Sequence, residues 1–120
     1  MKKFIIFFAL LAIAYSQLHN LGSYNEIARA EIDSSVALKN ILDFGTQEFI
    51  KKASQELQLT SPQFTQTKVE SAYRQVVAGM NYKFNVVYTD ANGKTWPVTL
   101  VVYTVPWENK MELTSYEIKK

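Results

Sequence analysis

The sequence predicts an α+β fold in which one long helix is followed by a run of strands. From Val36 onward, apolar residues recur at three- and four-residue steps, which is the period of an amphipathic helix. From Thr65 to the C-terminus, β-branched and aromatic residues dominate and often alternate with polar ones, as they do in strands. Between two of these segments, Asn92-Gly93 is typical of a hairpin turn.

The N-terminal segment has the pattern of a secretory signal peptide. Lysines at positions 2 and 3 precede an uninterrupted apolar run from Phe4 to Ala14, and Ala14-Tyr15-Ser16 offers the small residues that a signal peptidase reads. The run is too short to span a bilayer as a helix, which takes about 20 residues. We therefore expect residues 1–16 to be removed, with no membrane contact afterwards. Residues 17–120 would form one domain, secreted or kept in a lysosomal or vacuolar lumen.

Composition excludes several function classes. Loss of the two signal lysines takes Lys+Arg from 13 to 11, which equals the 11 Asp+Glu, so the mature chain is almost neutral. Nucleic acids and anionic membranes select clustered cationic surfaces, and neither partner is predicted. The chain has no cysteine, its only histidine (His19) lies in a segment expected to be flexible, and its carboxylates are scattered. No catalytic residue, cofactor or metal site is therefore predicted.

The first half of the mature chain predicts a flexible arm, a strand and the helix. Residues 17–24 have the composition of an arm, and Glu26–Ile32 shows a short alternation that predicts the first strand. Asp33-Ser34-Ser35 offers N-cap chemistry for the helix, and Thr60-Ser61-Pro62 stops it. The predicted apolar stripe of the helix comprises Leu38, Ile41, Leu42, Gly45, Phe49, Ala53 and Leu57.

The second half predicts four successive strands, which would form a meander. Trp96 lies inside one of them beside Pro97, so we expect it to pack on the core or the sheet face. The aromatic stripe of the second of these strands is expected to face the helix. The predicted strands are Thr65–Val77, Met80–Tyr88, Trp96–Val105 and Glu112–Lys119.

Two apolar segments are predicted at hairpin ends, where exposed apolar residues indicate a partner. They are Gln75-Val76-Val77-Ala78-Gly79 and Pro106-Trp107. A two-residue turn at Asn92-Gly93 would place Pro106 opposite Gly79, and a three-residue turn with a bulge would shift this by one. A first strand antiparallel to Thr65–Val77 would begin at the same end, just after Leu21-Gly22. We therefore predict that the arm and both turns lie together at one end of the sheet and form one narrow apolar wedge.

These three segments resemble the binding elements of the cystatin family. The segment from Gln75 to Gly79 is similar to the family's QxVxG loop, Pro106-Trp107 to its second loop, and Leu21-Gly22 to its glycine-containing arm. The resemblance covers essentially the whole mature chain. It implies a cystatin-like fold, a five-stranded antiparallel sheet wrapped around one long helix. Without cysteine, and with only Asp90–Lys94 between two strands, the chain resembles the disulfide-free stefins with a signal peptide added.

The resemblance implies a reversible, tight-binding competitive inhibitor of papain-like cysteine proteases of the cathepsin type. Leu21 would fill the main specificity pocket, and Gly22 would allow the arm to bend. The first loop, formed by Gln75, Val76, Val77, Ala78 and Gly79, would sit beside the catalytic cysteine, with Pro106 and Trp107 on the primed side. A monomer is expected, with strand-and-helix exchange at the first hairpin as an alternative assembly. The alternative function is a non-inhibitory binding module with the same fold.

Overall fold

A computed structural model describes residues 23–57 and 64–119 of the chain. The predicted signal peptide and most of the predicted arm, including Leu21 and Gly22, lie outside the described residues. The predicted helix stop at Thr60-Ser61-Pro62 also lies outside them.

Two helices lie between the first and second strands. Helix α1 covers Arg29–Ser34 and helix α2 covers Val36–Glu56. The hydroxyl of Ser35 accepts a hydrogen bond from the backbone N–H of Leu38 at 3.1 Å, which confirms the predicted start of α2. The predicted apolar stripe is buried as expected, except for Leu57, which follows the helix and is exposed.

The described strands form one antiparallel sheet in the order β1-β2-β3-β4-β5. Helix α2 packs on one face of this sheet, where the ring of Phe49 stacks on Tyr88 with 5.2 Å between centroids. Phe84, Val86 and Tyr88 are buried, so the aromatic stripe faces the core as predicted. The strands are β1 Tyr24–Glu26, β2 Thr65–Val77, β3 Gly79–Thr89, β4 Thr95–Val105 and β5 Lys110–Ile118.

Trp96 packs at the start of β4, as the sequence predicted. Its ring meets Phe64 edge to face at 5.5 Å, and its indole N–H donates to the carboxylate of Asp90 at 2.9 Å. This tryptophan therefore belongs to the packed part of the molecule.

The predicted first strand, Glu26–Ile32, is wrong. Strand β1 lies earlier and ends at Glu26, and the buried Ile27 continues its pairing by donating its N–H to the carbonyl of Ala72 at 2.9 Å. Beyond this point Arg, Ala and Glu favour helix, and α1 forms instead. The alternation in the sequence does not show that strand pairing stops after the bond from Ile27 to Ala72. It therefore could not indicate where helix propensity takes over.

Arg29, at the start of α1, bonds to the edge of β2 beyond the end of β1. Its guanidinium donates to the backbone carbonyls of Val69 and Glu70 at 2.9 and 2.8 Å. These carbonyls lie where β1 has already ended, and the guanidinium supplies the donors that a longer strand would have supplied.

The sequence left a two-residue and a three-residue turn open for the hairpin between β3 and β4. The structure has the three-residue turn. The N–H of Gly93 donates to the carbonyl of Asp90 at 3.0 Å, and Gly93 has a φ of 85°. The Asp90 carboxylate also accepts from the N–H groups of Asn92 and Lys94, both at 2.9 Å. The two-residue turn is therefore wrong. Met80 pairs with Thr104, and Val105 rather than Pro106 lies level with Gly79.

Candidate functional site

Exposed apolar residues at the β2–β3 and β4–β5 turns lie at the same end of the sheet. Val76 and Val77, which end β2, are 42% and 38% exposed, and Trp107, just after β4, is 70% exposed. Ala78 and Pro106 beside them are also exposed. We call these five residues the apolar rim. Exposed apolar groups gathered in one place are typical of an interaction site.

The first loop of the rim is a tight hairpin turn. Val77 pairs with Gly79, so Ala78 alone joins β2 to β3. Gly79 has a φ of 107°, which a side chain would strain. A Cβ at Gly79 would also lie 2.6 Å from the carbonyl oxygen of Thr104 and 3.0 Å from the hydroxyl of Tyr103. Glycine is therefore required here by both the turn and the close approach of β4.

Side chains on the sheet hold the base of this loop. The side-chain amide of Asn81 donates to that of Gln75 across the hairpin at 2.7 Å. Asn81 also pairs with Tyr103 on the neighbouring strand β4. The hydroxyl of Tyr103 donates to the carbonyl of Ala78. Gln75 is thus half-buried in the sheet below the loop, whereas Val76 and Val77 form its exposed part.

The second loop is a single 3-10 turn, Pro106–Glu108, which follows the buried Val105. Proline suits the first position because its φ is already set for the turn. Asn109 closes the turn with a φ of 52° and donates its N–H to the carbonyl of Pro106 at 3.0 Å. Asparagine adopts this left-handed conformation more readily than most residues, which is the signal in the sequence for this turn. Trp107 consequently projects outward.

Strand β1 brings the N-terminal part of the chain to the same end of the sheet. Tyr24 pairs with Gln75 and Glu26 with Tyr73, so the chain enters β1 beside the rim and runs away from it. Leu21 and Gly22 lie outside the described residues. Their contribution to the site stays a prediction, and the direction of β1 supports it.

Apart from Gln75, sequence reasoning missed the row of residues that lies beneath the rim. Because each strand pair is in register there, the row crosses all five strands, and its members are Tyr24, Gln75, Asn81, Tyr103 and Glu112. The three-residue turn between β3 and β4 pairs Tyr103 with Asn81 and so places Tyr103 in this row. The sequence would have identified Tyr103 if the three-residue turn had been chosen over the two-residue turn.

The rim holds no group with a shifted pKa. The pKa of Glu31 is lowered by hydrogen bonds from the Arg74 guanidinium, at 2.6 and 2.9 Å, and burial raises the pKa of Tyr88 to about 12. Both lie elsewhere in the fold. Within residues 23–57 and 64–119, no three His, Cys, Asp or Glu side chains are grouped to hold a metal ion. Shape and apolar surface are what the rim offers a partner.

Among residues 23–57 and 64–119, neither helix combines the length and the hydrophobicity that a bilayer span requires.

Comparison with known sequences shows a family match and a similar plant protein. Residues 30–120 match the family described as the cystatin domain. Over 50 residues the chain is 42% identical to cysteine proteinase inhibitor 8 of rice, Oryza sativa subsp. japonica. That match covers 42% of this chain and 41% of the rice protein, or about two fifths of each.

Three solved structures with the same fold are cystatins of ticks and of human origin. The salivary cystatin of the soft tick Ornithodoros moubata superposes with a TM-score of 0.60 and 20% identity, over 82% of this chain and 98% of that one. Dimeric human cystatin F gives a TM-score of 0.62 and 14% identity, over 80% and 85%. Mialostatin, a gut cystatin of the hard tick Ixodes ricinus, gives 0.55 and 18%, over 80% and 96%. At these identities the likeness concerns the fold alone.

Proposed function

The chain belongs to the cystatin family, and on that premise we propose that it is a reversible, tight-binding inhibitor of papain-like cysteine proteases of the cathepsin type. Family membership rests on the match over residues 30–120. The matched part of the rice relative, whose name describes a cysteine proteinase inhibitor, supports this class of activity.

The observation that carries the proposal is that the exposed Trp107 and the exposed Val76 and Val77 lie at the same end of the sheet. An indole kept in water by the free protein gains most when a partner buries it. Both loops are narrow, and their strands hold them at the same height. Such a ridge fits a cleft better than it fits a flat surface. Competitive inhibition follows if the cleft is the active site of a protease.

The arm completes the proposed site. We place Leu21 in the protease's main specificity pocket and Gly22 at the bend that lets the chain approach closely. Strand β1 leads away from the rim, so the residues before it would leave the sheet beside the first loop. Gln75 and Gly79 would act from below by holding the loop that carries Val76, Val77 and Ala78.

Inhibition is proposed to be noncovalent and the chain to be no enzyme. It has no cysteine, and the part that the structure describes has no histidine, so neither a thiolate nor a histidine-activated hydroxyl can be assembled there. The first loop is also a poor substrate. Ala78 is the only residue between two paired strands, whereas a scissile bond must be presented in an extended segment.

Residues 1–16 are proposed as a signal peptide, with residues 17–120 as the mature domain in the secretory pathway. Secretion and a lysosomal or vacuolar lumen are both compatible with a nearly neutral chain that has no disulfide to form. We propose a monomeric inhibitor, in which each copy presents its own rim.

The proposal is tested by titrating residues 17–120 against papain and several cathepsin-type proteases. The apparent inhibition constant should rise with substrate concentration, and activity should return on dilution. Intact mass after prolonged incubation should show no cleavage between Gln75 and Gly79. A folded protein that inhibits none of these enzymes would instead favour the non-inhibitory binding module. Cleavage in that loop that proceeds in step with the return of activity would contradict the noncovalent, non-substrate mode.

A further inference from the structure

Tyr103 connects the two loops of the rim, although it belongs to neither. Its hydroxyl donates a hydrogen bond to the carbonyl of Ala78, the residue at the tip of the first loop. The bond joins positions that are 25 residues apart in the chain. A single residue at a hairpin tip has few other partners for its carbonyl, so this bond supplies the carbonyl with a donor from the neighbouring strand.

The space for this bond exists because residue 79 is glycine. A Cβ there would lie 3.0 Å from both the hydroxyl and the Cε1 atom of Tyr103. The ring of Tyr103 therefore fills the volume that a side chain at position 79 would need. The glycine and the tyrosine form one packing unit, with the Asn81 side chain next to it in the same row.

Tyr103 also sits on the strand that leads into the second loop. Strand β4 ends at Val105, and the turn that carries Trp107 begins at Pro106. Val105 is buried and Thr104 beside it is buried too, so this part of β4 is held firmly in the sheet. A bond from Tyr103 to Ala78 consequently fixes the first loop relative to the base of the second.

We propose that Tyr103 is a positioning residue for the inhibitory site, which holds the two loops at a fixed separation before a protease binds. This inference rests on the proposed function. Preorganisation reduces the ordering that a complex must otherwise pay for at the moment of binding. Loss of the hydroxyl would leave the contact surface unchanged and would allow the first loop to move in the free protein.

The matched pair of variants is Tyr103→Phe and Tyr116→Phe. Each removes one tyrosine hydroxyl that donates a hydrogen bond, because the hydroxyl of Tyr116 donates to the carboxylate of Glu56 away from the rim. Both variants keep their rings and their packing. A general effect of losing such a bond would appear in both, whereas an effect on the loops would appear only in Tyr103→Phe.

Hydrogen exchange of the free proteins tests the structural part. In Tyr103→Phe the amides around Ala78 should exchange several-fold faster, while those of α2 should not change. Tyr116→Phe should leave the first loop as it is in the native protein. Unchanged exchange at the first loop in Tyr103→Phe would overturn the proposal.

Dissociation from papain tests the functional part. Tyr103→Phe should leave the complex about 3- to 10-fold faster than the native chain, the factor expected for one hydrogen bond, with little change in the association rate. Tyr116→Phe should dissociate at the native rate. Faster exchange with an unchanged dissociation rate would overturn the role in binding. Failure of the native chain to inhibit would contradict the proposed function itself. This outcome can be told apart from failure of the structural role of Tyr103, because hydrogen exchange is measured without protease.

Discussion

Tyr24 in β1 lies directly opposite Gln75 in β2, the residue that precedes the two exposed valines of the first loop. Strand β1 is only three residues long, so this pairing is among the few that attach the start of the chain to the sheet. The ammonium of Lys83 lies 4.5 Å from the ring centroid of Tyr24 and adds a cation–π contact. The N-terminal arm is therefore joined to the fold beside the first loop.

Deleting residues up to and including Leu21 is expected to weaken inhibition mainly through faster dissociation. In the proposed site the arm would be a separate tether next to the two loops, and losing a tether shortens the lifetime of a complex more than it slows its formation. Rates should be measured for the mature and truncated chains against a panel of papain-like proteases. The loss should differ among them, because in the proposed complex only the arm would reach the specificity pocket.

Gly22→Trp should have a similar effect without deletion, since a bulky residue prevents the close approach and the bend. Equal inhibition constants for the mature, truncated and substituted chains across the panel would remove Leu21 and Gly22 from the site.

Trp107→Ala is expected to weaken protease binding by about 2–4 kcal/mol, the range for an aromatic residue at the centre of an interface. The melting temperature should change little because the side chain is 70% exposed in the free protein. Inhibition constants and thermal unfolding of the same samples check this. A large fall in melting temperature with unchanged inhibition would assign Trp107 a structural role instead.

Trp96→Phe is the matched control for that experiment. It removes the indole N–H that bonds to Asp90 and alters the contact with Phe64, so stability should fall by about 1–2 kcal/mol. Inhibition should remain close to native, because Trp96 lies at the opposite end of β4 from the rim.

Gly45→Ala in α2 is expected to destabilise the protein, although alanine favours helix by about 1 kcal/mol. The new Cβ would lie 2.8 Å from a methyl of Val102 and 3.3 Å from Leu100, both fully buried in the sheet. Overpacking of this kind costs about 1–3 kcal/mol. This cost should exceed the gain in helix propensity by about 1 kcal/mol, so the variant should be less stable than the native protein. Urea unfolding measures the change.

Gln47→Ala, on the exposed face of the same helix, is the control for Gly45→Ala. It adds helix propensity without crowding and should be neutral or slightly stabilising. A Gly45→Ala variant at least as stable as Gln47→Ala would mean that the sheet yields to the helix at this point.

Glu31→Gln is expected to flatten the acid side of the stability profile. Hydrogen bonds from Arg74 hold the pKa of Glu31 below its ordinary value of 4.5, so the folded state binds this proton more weakly than the unfolded state does. The contribution of the pair is therefore complete above about pH 4.5 and is lost as pH falls through the lower, folded value.

The free energy of unfolding should be measured for native protein and Glu31→Gln between about pH 6 and about pH 2.5. The native protein should be more stable at the upper end, and the two curves should converge at the lower end. Parallel curves would show that the ion pair with Arg74 contributes no pH dependence.

Local patterns were sufficient to predict the long helix and the main strands. Ser35 caps α2 where the N-cap residues indicated, and the alternation in β3 places Phe84, Val86 and Tyr88 in the core. The first strand was not predictable in this way. Its end is decided by contacts to residues forty or more positions away, such as the bonds from Arg29 to β2.

The exposed part of the site was predicted from residue types that do not suit their places, namely valines and a tryptophan at turns. The residues that support the first loop were not predicted, because their placement depends on the pairing register of β3 and β4. The Asp90 carboxylate selects the three-residue turn by accepting from two backbone N–H groups, and this choice brings Tyr103 opposite Asn81. Turn length could not be chosen from Asn92-Gly93 alone, since that dipeptide suits both turns.

The two tryptophans of the chain stand at opposite ends of β4, roughly 35 Å apart along the strand. Trp96 is packed and Trp107 is largely in water, so their fluorescence reports on separate events. Unfolding changes the surroundings of the first indole, whereas burial of the rim shifts the emission of the second to shorter wavelength. In Trp96→Phe, the remaining indole becomes a single optical probe of complex formation that needs no added label.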